Sequence, residues 1–200
     1  MRTPMSRRTF LKSNCLISAG AAGGALVTVT TSTGASARRV EAPAAVRPQA
    51  ASPEQRLREL GIELPPPPQP VAVYVPARRV GNLLFTAGHT PRAPDGTPTP
   101  GKLGADLTVQ EGYAAARIAG LNLLSTVRNT LGSLDEVVKV LGMVNCTPDF
   151  GQQPQVVNGF SELIVEIFGE ERGMDGRAAV GMASLPENMP VEIEAIFEVT

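Results

Sequence analysis

The 200-residue sequence has no tryptophan, two tyrosines, one histidine and two cysteines. His89 stands alone, with no second histidine and no cysteine pair to complete a zinc-type donor set. No metal and no other cofactor is therefore expected. Cys15 falls near the N-terminus and Cys146 far down the chain. Loss of the N-terminal stretch would leave one thiol and no intramolecular disulfide. The shortage of rings also weighs against single-stranded RNA, whose bases stack on aromatic side chains. A glycine-rich phosphate loop, a Ser-His-Asp set, internal repeats and heptads are likewise absent. What remains is a globular composition: 42% apolar, 18% charged and a mean hydropathy of +0.02, room for one domain with extensions.

The first 37 residues contain Arg2, Arg7, Arg8 and Lys12 and no acidic residue. Ser6-Arg7-Arg8-Thr9-Phe10-Leu11-Lys12 resembles a twin-arginine export signal. A weakly apolar stretch follows to Val29, then Ala35-Ser36-Ala37 in the small-x-small form of a cleavage site. Gly20, Gly23 and Gly24 and polar Ser18, Thr28 and Thr30 break that stretch, so a stable membrane anchor is not expected. Residues 1–37 read as an export leader served by the twin-arginine machinery, and the mature protein as periplasmic or secreted. That machinery carries folded proteins, which suits a chain with a lone thiol. Without the leader the charge is 14 basic minus 19 acidic residues, or −5. Such a balance is a poor match for a phosphate backbone, and no nucleic-acid partner is expected.

Residues 38–70 read as a linker, disordered at first and Pro-rich at its end, with one short helix. Ser52-Pro53 offers an N-cap and a proline at the first helical position, and Gly61 a stop. Pro65 to Pro68 predicts extended polyproline acting as a stiff spacer. The domain is expected over 71–200. Val71, Val73 and Val75 alternate as a first strand should, and Gly81-Asn82 turns the chain into a second beginning at Leu83. Arg92 to Gly104 is a Pro- and Gly-bearing loop, and Thr108 with Glu111 forms a capping box for a helix ending at Gly132. A Val-rich strand over 137–144 precedes a helix carrying Phe160, Leu163, Ile164, Ile167 and Phe168 at helical spacing. Arg177 to Ser184 and the alternating Val191 to Val199 supply the last strands. The order β-β-α-β-α-β-β predicts an α/β (α+β) domain with one mixed sheet and two helices on one face. The other face, left bare, invites self-association.

Four stretches carry a resemblance that spans roughly Val71 to Thr200. Val80-Gly81-Asn82-Leu83-Leu84-Phe85-Thr86-Ala87-Gly88, Asp135 to Val140, Arg177 to Pro186 and Val191 to Ile196 resemble, in order, segments of the RidA/YjgF family, and of a longer branch labelled endoribonuclease L-PSP-like. The resemblance implies a chorismate-mutase-like fold, a homotrimer with sites between subunits, and hydrolysis of small enamines and imines such as 2-aminoacrylate to 2-keto acids and ammonia.

It also implies roles for particular residues. Arg177 matches the arginine that grips a substrate carboxylate, and a planar guanidinium suits bidentate carboxylate binding. Glu192 matches the residue that holds the hydrolytic water, although Glu192, Glu194 and Glu198 alternate as a plain solvent face would. Tyr74, seven residues before Gly81, matches a cleft tyrosine, and Asn158 a helix-start asparagine that binds ligand or clamps a neighbouring loop. Ala179 stands where familiar members often have cysteine, which removes thiol chemistry there. His89 reads as a loop histidine near the cleft and Cys146 as structural. Two alternatives accompany the deaminase: a non-catalytic module binding small carboxylates, and an endoribonuclease, which the net charge disfavours.

Overall fold

A computed structural model describes residues 51–199. The leader and the start of the linker lie outside the described residues.

Helix α1 (Pro53–Leu60) begins where Ser52 Oγ accepts from the Gln55 N–H and ends at Gly61, whose φ of 65° ordinary side chains resist. Its Leu57 is buried in the main core. After it, the Pro65–Pro68 run is not the free spacer expected from composition. Pro65, Pro67 and Pro68 are half-buried, and Ser125 Oγ donates to Pro65 O at 2.5 Å. Proline has no N–H to leave unsatisfied, so this stretch packs with only its carbonyls needing partners.

The alternating valines do not form the first strand. Residues 71–74 run as bends, with Val71, Val73 and Val75 exposed, and β1 (Ala77–Val80) starts later. The reason is pairing: β2 (Leu83–Thr86) reaches back from the Gly81-Asn82 turn only as far as Ala77, which pairs with Thr86. Beyond that the valines have no neighbouring strand, and alternation without a partner makes no sheet.

Helix α2 (Val109–Leu131) opens on the expected capping box, with Thr108 and Glu111 satisfying each other's backbone, and closes at Gly132. Strand β3 (Glu136–Asn145), helix α3 (Gln153–Phe168), a single turn α4 (Glu170–Gly173) and strand β4 (Gly176–Met182) follow. A short 3₁₀ turn (Pro186–Asn188) leads to β5 (Val191–Glu198). The five strands lie in the order β1-β2-β5-β3-β4, antiparallel except for β3 and β4, whose connection runs through α3.

Both long helices cover one face. Ala116, Leu123 and Leu124 of α2 and Phe160, Leu163, Ile164 and Ile167 of α3 are fully buried against Val191, Ile193 and Phe197 of β5, each large side chain contributing about 1.5–3 kcal/mol. The helices approach closely because residue 159 is glycine. A Cβ there would overlap the Tyr113 carbonyl. The opposite face carries Phe85, Val180 and Met182, each 36–40% exposed, with Ile196 partly covered.

Candidate functional site

Two separate constellations hold the four candidate residues. The first sits at the β4 edge. Arg177 faces the helices, in register with buried Val140, and its Nη1 donates to Asn158 Oδ1 at 2.9 Å and to Ser161 Oγ at 3.1 Å. Asn158 and Ser161 lie three apart on α3 and therefore share a face. That periodicity is the signal that could have pointed to Ser161. Asp175, two residues before Arg177, has a buried carboxylate oxygen with no hydrogen-bond partner among the described residues. Burial pushes its pKa up, and the nearby charges of Arg177 and Lys139 offset part of that. An open hollow lined by Asn158, Ser161, Val165 and Met174 lies alongside, and Met174 is 73% exposed.

The second constellation is a cleft of about 110 Å³ on the far side of the sheet order, where the segment after β2 crosses β5. Tyr74 and Glu192 both line it, together with Gly88, His89, Arg92 and Glu187. His89 and Ile193 exchange backbone hydrogen bonds at 2.8 and 2.9 Å, which pins residue 88 against the start of β5. Glu192 is half-buried rather than on a plain solvent face, and its carboxylate lies where a side chain on residue 88 would be. Burial, then the neighbouring Glu194, raises its pKa above the ordinary carboxylate value. Ionised, such a group is a better proton acceptor than a free surface carboxylate.

His89 is not free to act on a ligand. Its Nδ1 donates to Ala87 O and its Nε2 accepts from Thr126 Oγ, both at 2.8 Å, and only 4% of the residue is exposed. Burial lowers its pKa, opposed in part by the Ala87 carbonyl, so the neutral ring is the resident form. Thr126 could not be anticipated, since it lies 37 residues away on α2. Cys146 is buried beside Gln153 and Gly181. No group of three or more His, Cys, Asp and Glu arranged to hold a metal occurs among the described residues.

The sequence also gave no warning of the ion pair between Arg92 and Glu187 at the cleft wall. Buried Asn122 fixes the backbone that presents Arg92, donating to the Thr90 and Arg92 carbonyls at 3.0 and 3.1 Å.

A mixed five-stranded sheet backed by two helices, with a carboxylate cleft at one end and an arginine at the other edge, defines a chorismate-mutase-like α+β protein. Residues 54–193 match the family model described as "YjgF/chorismate mutase-like, putative endoribonuclease". The chain belongs to the YjgF/RidA family. Protein TCP17 of Trypanosoma cruzi is 43% identical over 145 residues, covering 71% of this chain and 91% of that protein. A protein of unknown function from Agrobacterium tumefaciens is 41% identical with a TM-score of 0.67, covering 74% of this chain and 94% of the other. A structure described as a putative endoribonuclease from Shewanella oneidensis is 33% identical with a TM-score of 0.71, covering 74% and 100%.

Proposed function

We propose that this protein hydrolyses small reactive 2-imino acids and their enamine tautomers, of the 2-aminoacrylate and 2-iminopropionate type, to 2-keto acids and ammonia. The observation that carries the reading is the half-buried Glu192 carboxylate lodged over Gly88 in a cleft, with its pKa raised by burial. In this scheme Arg177, held in orientation by Asn158 and Ser161, grips the substrate carboxylate. Tyr74 closes over the ligand. Glu192 orients a water and takes its proton as the oxygen adds to the imine carbon. The C=N π electrons move to nitrogen, which is protonated. The resulting carbinolamine then expels ammonia and leaves the C=O of the keto acid. Proton transfer of this kind accounts for about 10²–10⁴-fold in rate.

In this reading, Arg177 and Asn158 of one subunit meet Tyr74 and Glu192 of the next. Such an arrangement calls for a homotrimer with sites between subunits, and the half-bare sheet face with Phe85, Val180 and Met182 supports it, because apolar patches of this kind are usually covered. Export by the twin-arginine route to the periplasm or beyond is part of the proposal, supported by Ser6 to Lys12 and Ala35 to Ala37. The substrate is then an imine met outside the cytoplasm.

The test supplies 2-iminopropionate generated in situ to the full chain and follows keto-acid formation and sedimentation. Accelerated hydrolysis by a trimer, strongly weakened in folded Arg177→Ala, supports the reading. If several imino acids are untouched while small carboxylates still raise the melting temperature, hydrolysis is overturned and a carboxylate-binding module takes its place.

A further inference from the structure

The cleft around Glu192 has a second end that imine hydrolysis by itself does not use. Its far wall is the ion pair between Arg92 and Glu187, and both partners are built into position. Arg92 stands at the base of a tight loop. It bridges to Pro98, its Nη1 donates to Gly96 O at 3.2 Å, and buried Asn122 holds its backbone. Glu187 sits at φ 53° and is followed by Asn188 at φ 55°. Two successive non-glycine residues in the left-handed region are uncommon and cluster at sites where the surrounding structure enforces them. Asn188 is enforced here: its backbone carbonyl accepts from the Gly101 N–H at 2.8 Å, and its side-chain oxygen accepts from Asn145 Nδ2 at 3.0 Å. The turn that aims Glu187 is therefore fixed from the core.

Hydrogen-bonding capacity is left over on both partners. A guanidinium has five N–H groups, and two of those on Arg92 are spent, on Gly96 and Glu187. Glu187 uses Oε2 and has no partner on Oε1 among the described residues, with its side chain 51% exposed. Besides this pair and Glu192, the cleft is lined by Pro68, Pro70, Val71, Pro76 and Pro186, which offer mostly carbon surface, together with polar Gln69 and Tyr74. An alkyl stem fits such walls. The charge of the cleft lining is one arginine against two glutamates, or −1 with His89 neutral.

We propose that Arg92 and Glu187 form the side-chain subsite of this cleft and select 2-imino acids whose side chain ends in an uncharged carboxamide over those ending in a second carboxylate. A carboxamide presents a carbonyl to the free N–H groups of Arg92 and an NH₂ to Glu187. A carboxylate of the same shape meets Arg92 already neutralised and two like charges, Glu187 and Glu192. A site whose fixed polar groups match one polar group discriminates against its near-isostere, because the mismatch leaves a donor or acceptor unpaired or sets like charges together. The inference rests on the imine-hydrolase reading and adds the substrate class to it.

The test uses the full chain and three 2-imino acids made in situ by an amino-acid oxidase from alanine, glutamine and glutamate. Glutamine and glutamate give side chains of equal length that differ in charge, and the alanine product is too short to reach the subsite. The expected kcat/KM for the glutamine-derived imine exceeds that for the glutamate-derived one by about tenfold or more. In Glu187→Gln the lining charge becomes zero and that ratio falls to about one or inverts. In Arg92→Gln the glutamine-derived imine loses about tenfold relative to the alanine-derived one. The wild-type comparison stands even if a variant misfolds. Turnover of the alanine-derived imine with no preference for the amide over the acid overturns the subsite alone. No turnover of any of the three overturns the hydrolase reading, and the subsite with it.

Discussion

The Glu192 carboxylate occupies the space that a Cβ on Gly88 would need. Gly88 ends the run after β2 and Glu192 lies at the start of β5, and the paired backbones of His89 and Ile193 hold them together. A glycine at 88 is therefore what lets the carboxylate lie down into the cleft. Gly88→Ala should swing it out without unfolding the domain, because the clash is with a side chain rather than with backbone. The expected result is a kcat lowered about 10²-fold, close to that of Glu192→Gln, with a melting temperature near wild type.

The pH dependence of imine hydrolysis should report the same group. Glu192 acts as a base only when ionised, and its pKa lies above the ordinary 4.5 because burial, then Glu194, disfavours the charge. The acid limb of kcat should accordingly fall at a pH above that of a free carboxylate, and Glu192→Gln should flatten it. Lightening the like charge by Glu194→Gln should move the limb back to lower pH. A limb that ignores both substitutions would separate Glu192 from the proton transfer.

Arg177 should act on binding. Removing its guanidinium in Arg177→Ala is expected to cost about 1.5–3 kcal/mol of carboxylate recognition, read as a KM about ten- to a hundredfold higher. Asn158→Ala and Ser161→Ala should each give a smaller rise. The double variant Asn158→Ala/Arg177→Ala should be little worse than Arg177→Ala alone, since the first residue works through the second.

Asp175 should cost stability at neutral pH. Its carboxyl has a raised pKa in the fold, so folding favours the protonated form, and stability is lost as pH rises past the unfolded value of about 3.8 and through the folded pKa. Asp175→Asn is expected to be neutral to stabilising by chemical denaturation at pH 7, and less so at pH 4. Loss of stability in that variant would mean that the attraction to Arg177 outweighs burial.

His89 should do the opposite. Its folded pKa is lowered, so the unfolded chain binds the extra proton first, and stability falls as pH drops below about 6.5 towards the folded value. In Thr126→Val the ring loses the hydroxyl that its Nε2 accepts from. The domain should then lose about 0.5–1.5 kcal/mol at pH 7 by denaturant titration.

Periodicity, caps and turns made most of this fold legible. The spacing of Phe160, Leu163, Ile164 and Ile167 fixes α3, Thr108 with Glu111 fixes the start of α2, and the alternation from Val191 fixes β5, because local geometry dictates which side chains share a face. The same reasoning misplaced the first strand, since alternation at Val71, Val73 and Val75 cannot say whether a neighbouring strand is long enough to pair with them. Arg177, Glu192, Tyr74 and Asn158 were nameable from segments resembling a family, but their grouping was not. Only the folded chain puts Arg177 with Asn158 and Ser161 at one edge and Tyr74 with Glu192 in a cleft elsewhere. The Arg92–Glu187 pair, the Thr126–His89 bond and the lodging of Glu192 over Gly88 join residues far apart in sequence. Contacts of that kind follow from packing of whole elements, which no short pattern records.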